Sequence, residues 1–174
     1  MPPASLKFKK INQAKNVEKN KLNIQELKAL SSAAKEKVLR NNSSKNDYAV
    51  IISGGGNAFS NNVRYWNDCS TIYSILINTY SYPKDHVFVL MADGTCDSSP
   101  LDLDGDGLPD IEYAATKENI SNVFDKLGST LSSYDNLFIY VTDHGSLINE
   151  SSKSSQIVLW NKSAITDKEF AKEV

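Results

Sequence analysis

Short apolar runs alternate with longer amphipathic stretches through most of the chain. The runs are five or six residues long and lie at residues 48–52, 86–91, 137–142 and 156–160. Continuous apolar composition, rich in β-branched residues, is typical of strands that are buried on both faces. Apolar residues at helical spacing predict helices over residues 63–80 and 116–131, and a last helix that begins at Thr166. The alternation predicts an α/β domain with a mainly parallel sheet.

The predicted architecture is a three-layer sandwich, with helices on both faces of the central sheet, formed by residues 46–174. Residues 1–45 are predicted to form a separate N-terminal arm, with one short amphipathic helix within residues 24–40. The longest uninterrupted apolar runs are too short to span a membrane. No apolar stretch of signal-peptide length lies within residues 1–10, so the expectation is either a cytosolic protein or a leader absent from this chain.

Charge is distributed unevenly between these two parts. The first 45 residues contain 11 Lys and Arg against 3 Glu, a net charge of +8, and the remaining residues contain 8 against 18 acidic residues, a net charge of -10. A basic arm can indicate nucleic-acid binding. Here the lysines alternate with Asn, Gln and Ala and form no Arg clusters, so a solvated segment or prosegment lying against the acidic domain is favoured and nucleic acid is not an expected partner.

Two loops that follow predicted strands are candidates for a functional site, because sites in parallel sheets gather beyond the carboxyl ends of the strands. The first contains Ser53 and three consecutive glycines, and the second contains His144 followed by Gly145. A histidine at the end of a buried strand can act as a general base near neutral pH. It can equally do no more than cap the end of the strand by hydrogen bonding.

The segment NLFIYVTDHGS, at residues 136–146, resembles the sequence around the catalytic histidine of legumains and of the related glycosylphosphatidylinositol transamidase catalytic subunit. A second segment agrees with it: Asn62 and Arg64 precede a predicted helix that carries Asp68 and Tyr73, as in legumains. The resemblance covers about residues 46–174. It implies the N-terminal portion of a cysteine peptidase domain with the caspase and haemoglobinase fold, incomplete at its C-terminus.

The same resemblance implies roles for individual residues. His144 would be the general base and acid, Gly145 would donate its amide to an oxyanion hole, and Asn62 would orient the imidazole. Arg64, with Asp68 nearby, would line the pocket for the residue before the scissile bond, with Asn or Asp as the possible preference. The alternative for Arg64 is a surface ion pair with Asp68.

A catalytic cysteine is missing from the expected region, because no cysteine follows His144. Cys69 lies on the apolar stripe of a predicted helix and is expected to be a core residue, and Cys96 lies in a polar loop that nothing places beside His144. The nucleophile is therefore expected beyond residue 174, or on a second chain from the same precursor. The chain alone is expected to be inactive, whether it is a maturation product or a truncated form.

An acidic, glycine-containing loop spans residues 102–110. Its carboxylates stand at relative positions 1, 3, 5 and 9, as in the first part of an EF-hand calcium loop, and Leu108 at position 7 would contribute its carbonyl oxygen. Tyr113 stands where the loop would need a bidentate Glu. Calcium is a possible ligand, and an acidic surface insertion is the alternative. The pattern resembles extracellular calcium repeats, and an extracellular compartment is favoured. The expected ligands are Asp102, Asp104, Asp106, Leu108 and Asp110.

Three other functions remain open. The chain could be a non-catalytic caspase-like interaction domain, or chiefly a calcium-binding module. It could also resemble the clostripain and gingipain peptidases, which share the fold and the His-Gly pair. That resemblance would imply a preference for basic residues and an acidic pocket, and Arg64 argues against it.

Overall fold

The computed structural model describes residues 46–149 and 154–174. The predicted N-terminal arm and its helix within residues 24–40 lie outside the described residues. In the described part the elements follow the chain in this order: β1 (Asp47–Ser53), α1 (Val63–Asn78), β2 (Val87–Met91), α2 (Lys117–Thr130), β3 (Asn136–Val141), β4 (Gly145–Asn149), β5 (Ser154–Val158), β6 (Ala164–Thr166) and α3 (Asp167–Glu173). Short 3-10 turns precede β2 and follow β5.

The first three strands form a parallel sheet in the order β2-β1-β3. Central β1 pairs with both neighbours, so that Ile52 lies beside Leu90 on one side and beside Val141 on the other. Five consecutive residues of β1 are buried, as is all of β2. The continuous apolar composition of these strands is explained by burial on both faces, as the sequence predicted.

Two hydrophobic clusters lie on opposite faces of this sheet. Alternate residues of β1 point to each face: Ala49 and Ile51 pack with α1, and Val50 and Ile52 pack with α2. Helix α1 contributes four buried residues, and so does α2. The helices therefore cover the two faces of the sheet, and the three-layer α/β arrangement is present. The buried helix residues are Tyr65, Cys69, Tyr73 and Leu76 in α1, and Ile120, Val123, Phe124 and Leu127 in α2.

The fourth predicted strand is present but shifted by two residues. Residues 156–160 were predicted to be a strand, and β5 covers Ser154–Val158 and is the centre of a separate antiparallel sheet with the order β4-β5-β6. Trp160 begins a 3-10 turn instead. The apolar composition of this segment is satisfied by packing against the α2 cluster, which Ile157 and Leu159 join.

Helix boundaries follow their capping residues. Thr116 accepts a hydrogen bond from the backbone amide of Asn119 and begins α2. Thr166 begins α3, as predicted, and it forms a capping box with Glu169. None of the described helices combines the length and the apolar content that crossing a membrane would require.

Candidate active site

The carboxyl ends of β1 and β3 meet at one edge of the parallel sheet, and Asp143 joins the loops that follow them. Its Oδ2 accepts a short hydrogen bond from the backbone amide of Gly55 and a longer one, 3.4 Å, from the hydroxyl of Ser53. The backbone amide of Thr142 donates to the carbonyl of Ile52 at 3.1 Å. The two candidate loops are therefore connected, although about 90 residues separate them in the chain.

The loop after β1 turns sharply because of its glycines. Gly55 and Gly56 have positive φ angles of 65° and 71°, a conformation that other residues rarely adopt. A Cβ atom on Gly54 would lie 2.3 Å from the carbonyl oxygen of Val158, so the backbone of this loop approaches the backbone at the end of β5. The hydroxyl of Ser60 donates to the carbonyl of Gly55 at 3.1 Å and closes the loop. The backbone around Ser60 is held by these contacts.

His144 lies at this edge with its side chain exposed to solvent. Its Nε2 atom is 3.2 Å from the carbonyl oxygen of Ser60. The imidazole also packs edge-on against the ring of Tyr65, with 5.3 Å between ring centres and 73° between the ring planes. A carbonyl oxygen can only accept, so Nε2 carries the proton in this hydrogen bond, and in the neutral ring Nδ1 carries the lone pair.

Asn62 was predicted to orient the imidazole, and the hydrogen bond that it makes within the described residues is a different one. Its side-chain oxygen accepts a hydrogen bond from the backbone amide of Arg64 at 3.0 Å and caps the N-terminus of α1. The imidazole instead donates its hydrogen bond to the carbonyl oxygen of Ser60, two residues earlier. The same loop therefore orients His144, but through its backbone and not through the amide side chain.

Arg64 and Asp68 lie on the first turns of α1, close to this edge. The guanidinium of Arg64 donates to the Tyr65 hydroxyl at 3.1 Å, and this hydrogen bond raises the pKa of Arg64. Asp68 accepts a hydrogen bond of 3.3 Å from the hydroxyl of Thr142, at the end of β3. No ion pair between Arg64 and Asp68 is found within the described residues. Tyr65 contacts both Arg64 and His144, so the basic side chain and the imidazole share one aromatic neighbour.

Gly145 begins β4 directly after His144, opposite Ile157 in β5. A Cβ atom at this position would lie 3.5 Å from the carbonyl oxygen of Gln156, which is an ordinary contact. The space around Gly145 would therefore accept a larger residue. Its predicted donation to an oxyanion hole stays a prediction.

The two cysteines are placed as the sequence predicted. Cys69 is fully buried on α1, and burial raises the pKa of its thiol to about 12. It therefore stays protonated near neutral pH and is not available as a nucleophile. Cys96 is exposed in the loop after β2. Within the described residues no hydrogen bond joins either cysteine to His144.

Three carboxylates of the acidic loop converge. One oxygen from each of Asp102, Asp104 and Asp106 lies within 4.8 Å of the others. The Asp102 carboxylate accepts from the amides of Gly105 and Gly107, at 2.6 and 2.8 Å. The ammonium of Lys84 lies 2.7 Å from a carboxylate oxygen of Asp104 and 2.7 Å from one of Asp106. A basic side chain from outside the loop therefore partly neutralises the charge of the loop. The hydrogen bonds from the ammonium to Asp104 and Asp106 raise the pKa of Lys84.

The other two residues expected in the calcium site are placed differently. Asp110 is buried, and its two oxygens accept hydrogen bonds from the hydroxyl of Tyr73 at 2.6 Å and from the amide of Leu103 at 2.8 Å. It is not one of the three converging carboxylates, although its Oδ1 lies 3.7 Å from the ammonium of Lys84. Leu108 is exposed, and its amide donates to Asp106 at 2.8 Å.

Four residues of these two sites were not identified from the sequence. Asp143 joins the loops, Ser60 provides a backbone carbonyl, Tyr65 packs on the imidazole, and Lys84 enters the acidic loop. Asp143 is adjacent to the candidate histidine, and its position between a strand and a His-Gly pair was the available signal. The contribution of Ser60 is made by a backbone carbonyl, which has no signature in the sequence.

Comparisons with known proteins do not identify a relative: no family model, curated protein or solved structure matches the chain. The legumain resemblance therefore depends on the two quoted sequence segments.

Proposed function

We propose that residues 46–174 carry the histidine half of the active site of a legumain-type cysteine endopeptidase or transpeptidase, with the caspase and haemoglobinase fold. The main support is the imidazole of His144 at the carboxyl edge of a parallel sheet, with Nε2 bonded to the Ser60 carbonyl. Within the described residues Nδ1 makes no hydrogen bond. A histidine that is held through one nitrogen and free at the other is suited to exchange protons with a nucleophile.

In the proposed reaction Nδ1 of His144 takes the proton of a cysteine thiol, and the thiolate attacks the carbonyl carbon of the scissile peptide bond. The negative charge that develops on the carbonyl oxygen is stabilised by backbone amides, among them that of Gly145. The protonated Nδ1 then donates its proton to the leaving amine, and the C–N bond breaks to give a thioester. Water, activated by the same nitrogen, hydrolyses the thioester, or an amine of a second peptide attacks it and a new peptide bond forms.

The thiol of this reaction belongs to a segment outside residues 46–174, either further along the same polypeptide or on a second chain of the same precursor. A further segment at this site is consistent with the position of β3, which is an edge strand with one side unpaired among the described strands. Among the described strands β3 pairs only with β1, and Phe138 on this apolar strand is 38% exposed. Apolar strands without charged residues are unusual at the edges of sheets. A further parallel strand at this edge would end beside His144.

Arg64 supports a preference for an acidic or polar side chain before the scissile bond. Its guanidinium is exposed and shares Tyr65 with His144, so it lies near the atoms that would react. A planar, permanently charged guanidinium binds carboxylates and amides through paired donors. Cleavage after Asp or Asn is therefore the proposed specificity.

The tautomer of His144 provides a direct test. The neutral ring is expected to carry its hydrogen on Nε2, because the Ser60 carbonyl can only accept a hydrogen bond. Long-range proton–nitrogen NMR of the 174-residue chain distinguishes the two tautomers. A neutral ring protonated on Nδ1 would contradict the proposed role of that nitrogen, and the resonances of His86 provide an internal comparison.

Calcium binding is the second candidate function, supported by the convergence of Asp102, Asp104 and Asp106. Hard carboxylate oxygens are the ligands that Ca²⁺ prefers, but the ion needs six to eight of them. The three carboxylates would provide part of that set. Lys84 already contacts two of the three, so an ion could bind there only if the ammonium moved away.

Replacing Lys84 is therefore expected to increase calcium affinity. Lys84→Met removes a positive charge a few ångströms from the three carboxylates, and repulsion of that size is expected to change the dissociation constant by about tenfold or more. Isothermal titration calorimetry of the 174-residue chain with CaCl₂ measures it, and Lys172→Met on α3 is the matched control. An absence of heat for both the original chain and Lys84→Met would dismiss calcium as a ligand of this loop.

A further inference from the structure

Tyr65 lies between the two side chains that the proposed reaction gives different tasks. The guanidinium of Arg64 donates a hydrogen bond of 3.1 Å to its hydroxyl, and the guanidinium carbon lies 4.8 Å from the centre of its ring. The imidazole of His144 packs on the same ring, with 5.3 Å between ring centres. One aromatic residue therefore contacts both the candidate specificity residue and the candidate catalytic residue.

Tyr65 is fixed by the core of the domain. It is 1% exposed and belongs to the hydrophobic cluster that also contains Cys69 of α1 and Met91 of β2. Its backbone amide donates to the carbonyl of Asn62 at 2.9 Å, in the first turn of α1. Close packing confines a buried side chain to one rotamer. The ring is therefore a rigid surface on which more exposed side chains can be placed.

Arg64 and His144 are both exposed to solvent, so each needs contacts that hold it in place. An arginine side chain has many rotamers and loses that freedom when a ligand fixes it. The hydrogen bond to the Tyr65 hydroxyl and the position over the ring restrict Arg64 beforehand. For His144, the Ser60 carbonyl fixes Nε2 and the contact with Tyr65 limits rotation of the imidazole. Such preorganisation reduces the entropy lost in binding and reaction.

The proposed substrate requires the guanidinium and the imidazole to be close together. In an Asp or Asn residue only the Cα and Cβ atoms separate the scissile carbonyl carbon from the carbonyl carbon of the side chain. The group that binds the side chain and the group that serves the scissile bond must therefore act on neighbouring atoms of one residue. A rigid neighbour that Arg64 and His144 share provides this spacing.

We propose that Tyr65 is a positioning residue that places the substrate-binding guanidinium of Arg64 relative to the catalytic imidazole of His144. This proposal rests on the proposed peptidase function. The two tasks use different parts of the side chain, because the hydroxyl bonds Arg64 and the ring contacts His144. Tyr65→Phe removes the hydrogen bond and keeps the ring, and Tyr65→Leu removes both.

The two variants are expected to affect KM and kcat differently in the complete protein that contains the cysteine. For peptides with Asn or Asp before the scissile bond, Tyr65→Phe should raise KM by about three- to tenfold, since one hydrogen bond that holds Arg64 is lost. Its kcat should stay within about twofold, because the contact with His144 is kept. Tyr65→Leu should also lower kcat, by about tenfold or more, because the imidazole is no longer held against a ring. Equal losses of kcat in both variants, or an unchanged KM for Tyr65→Phe, would overturn the proposal.

Two NMR measurements on the 174-residue chain test the same contacts without turnover. An adjacent aromatic ring shifts the ring-proton resonances of His144, and we expect this shift in the original chain and in Tyr65→Phe but not in Tyr65→Leu. The nitrogen-15 heteronuclear NOE of the Arg64 side chain should show restricted motion in the original chain and greater motion in Tyr65→Phe. Arg64 motion that Tyr65→Phe leaves unchanged would contradict the role of the hydroxyl. Tyr65→Phe keeps the ring in the core, so its KM and its Arg64 motion decide the proposal even if Tyr65→Leu does not fold.

Tyr73→Phe is the matched control. Tyr73 is 2% exposed on the same helix, and its hydroxyl bonds Asp110 instead of Arg64. Its loss should change neither KM nor the two NMR signals, and the same changes in Tyr73→Phe would assign them to the packing of α1 and overturn the role of Tyr65. A complete protein without turnover would remove the peptidase proposal alone, because the NMR measurements need no cysteine. Unaltered NMR signals in the Tyr65 variants of an active protein would remove only the positioning role.

Discussion

His144→Ala is expected to abolish peptide turnover by the complete protein that also contains the nucleophilic cysteine. Nδ1 would both accept the thiol proton and protonate the leaving amine, and a positioned general acid–base group contributes about 10²–10⁴-fold to rate. The loss should fall on kcat, because the imidazole acts on reacting atoms and is not needed to hold the substrate. Hydrolysis of fluorogenic peptides with Asn or Asp before the reporter group measures it.

The second histidine provides the matched control. His86 precedes β2 at the amino end of the parallel sheet, the opposite edge from His144, and its ring stacks on Tyr48 with 4.0 Å between ring centres. His86→Ala removes the same chemical group at a distance from the site and should retain turnover. Thermal unfolding of both variants verifies that the fold is intact. Full turnover by a folded His144→Ala protein would remove the assignment and favour a non-catalytic role.

The main sheet was predictable because its strands are buried on both faces. In residues 48–52 and 86–91 apolar residues do not alternate with polar ones, as they would in a strand with one face exposed to solvent. Strands of this kind, separated by amphipathic helices, are typical of a parallel sheet covered by helices. The small antiparallel sheet was not predictable in the same way. Residues 156–160 are equally apolar, but the partners of β5 are β4, which contains one β-branched residue, and β6, which is three residues long. Its pairing is determined by tertiary contacts, among them the close approach of Gly54.

The candidate site was predictable at the level of loops but not of atoms. Parallel neighbours place the ends of β1 and β3 at one edge, so proximity of the two loops followed from topology. Whether a side chain or a backbone carbonyl meets the imidazole depends on the path of the loop within a few ångströms. Asn62 stands at the start of α1, where its side chain is suited to cap the helix, and capping determined its position. The carbonyl of Ser60 was then the group left beside His144.

The same limit applied to the acidic loop. Local spacing identified the three carboxylates that converge, because residues two apart in a tight loop stay close. Lys84 is about 20 residues away in sequence, and nothing in its own surroundings indicated that it would pair with Asp104 and Asp106. Asp110 fitted the calcium spacing but is buried against α1, since a hydroxyl from Tyr73 was available to it. A spacing pattern describes one loop alone and does not include the surface on which it packs.

Asp110→Ala is expected to destabilise the domain by about 2–4 kcal/mol. The carboxylate is buried and accepts from the hydroxyl of Tyr73 and the amide of Leu103, so its removal leaves two buried donors without a partner, each at a cost of about 1–3 kcal/mol. Burial, followed by the hydrogen bond to Asp110, raises the pKa of Tyr73, so the phenol stays protonated as a donor. Urea denaturation monitored by circular dichroism measures the change.

Two further variants show whether the hydrogen bonds, and not the loss of acidic charge, cause this effect. Asp106→Ala removes a carboxylate from the same loop whose side chain is 40% exposed, and loss of its surface ion pair with Lys84 should destabilise the domain much less, because solvent screens such a pair. Tyr73→Phe combined with Asp110→Ala should cost less than the sum of the single changes, because the phenylalanine leaves no hydroxyl to satisfy. Equal destabilisation by Asp110→Ala and Asp106→Ala would mean that the Asp110 contacts do not hold the loop on α1. A large difference would assign Asp110 to the core of the domain and leave only the three converging carboxylates for a cation.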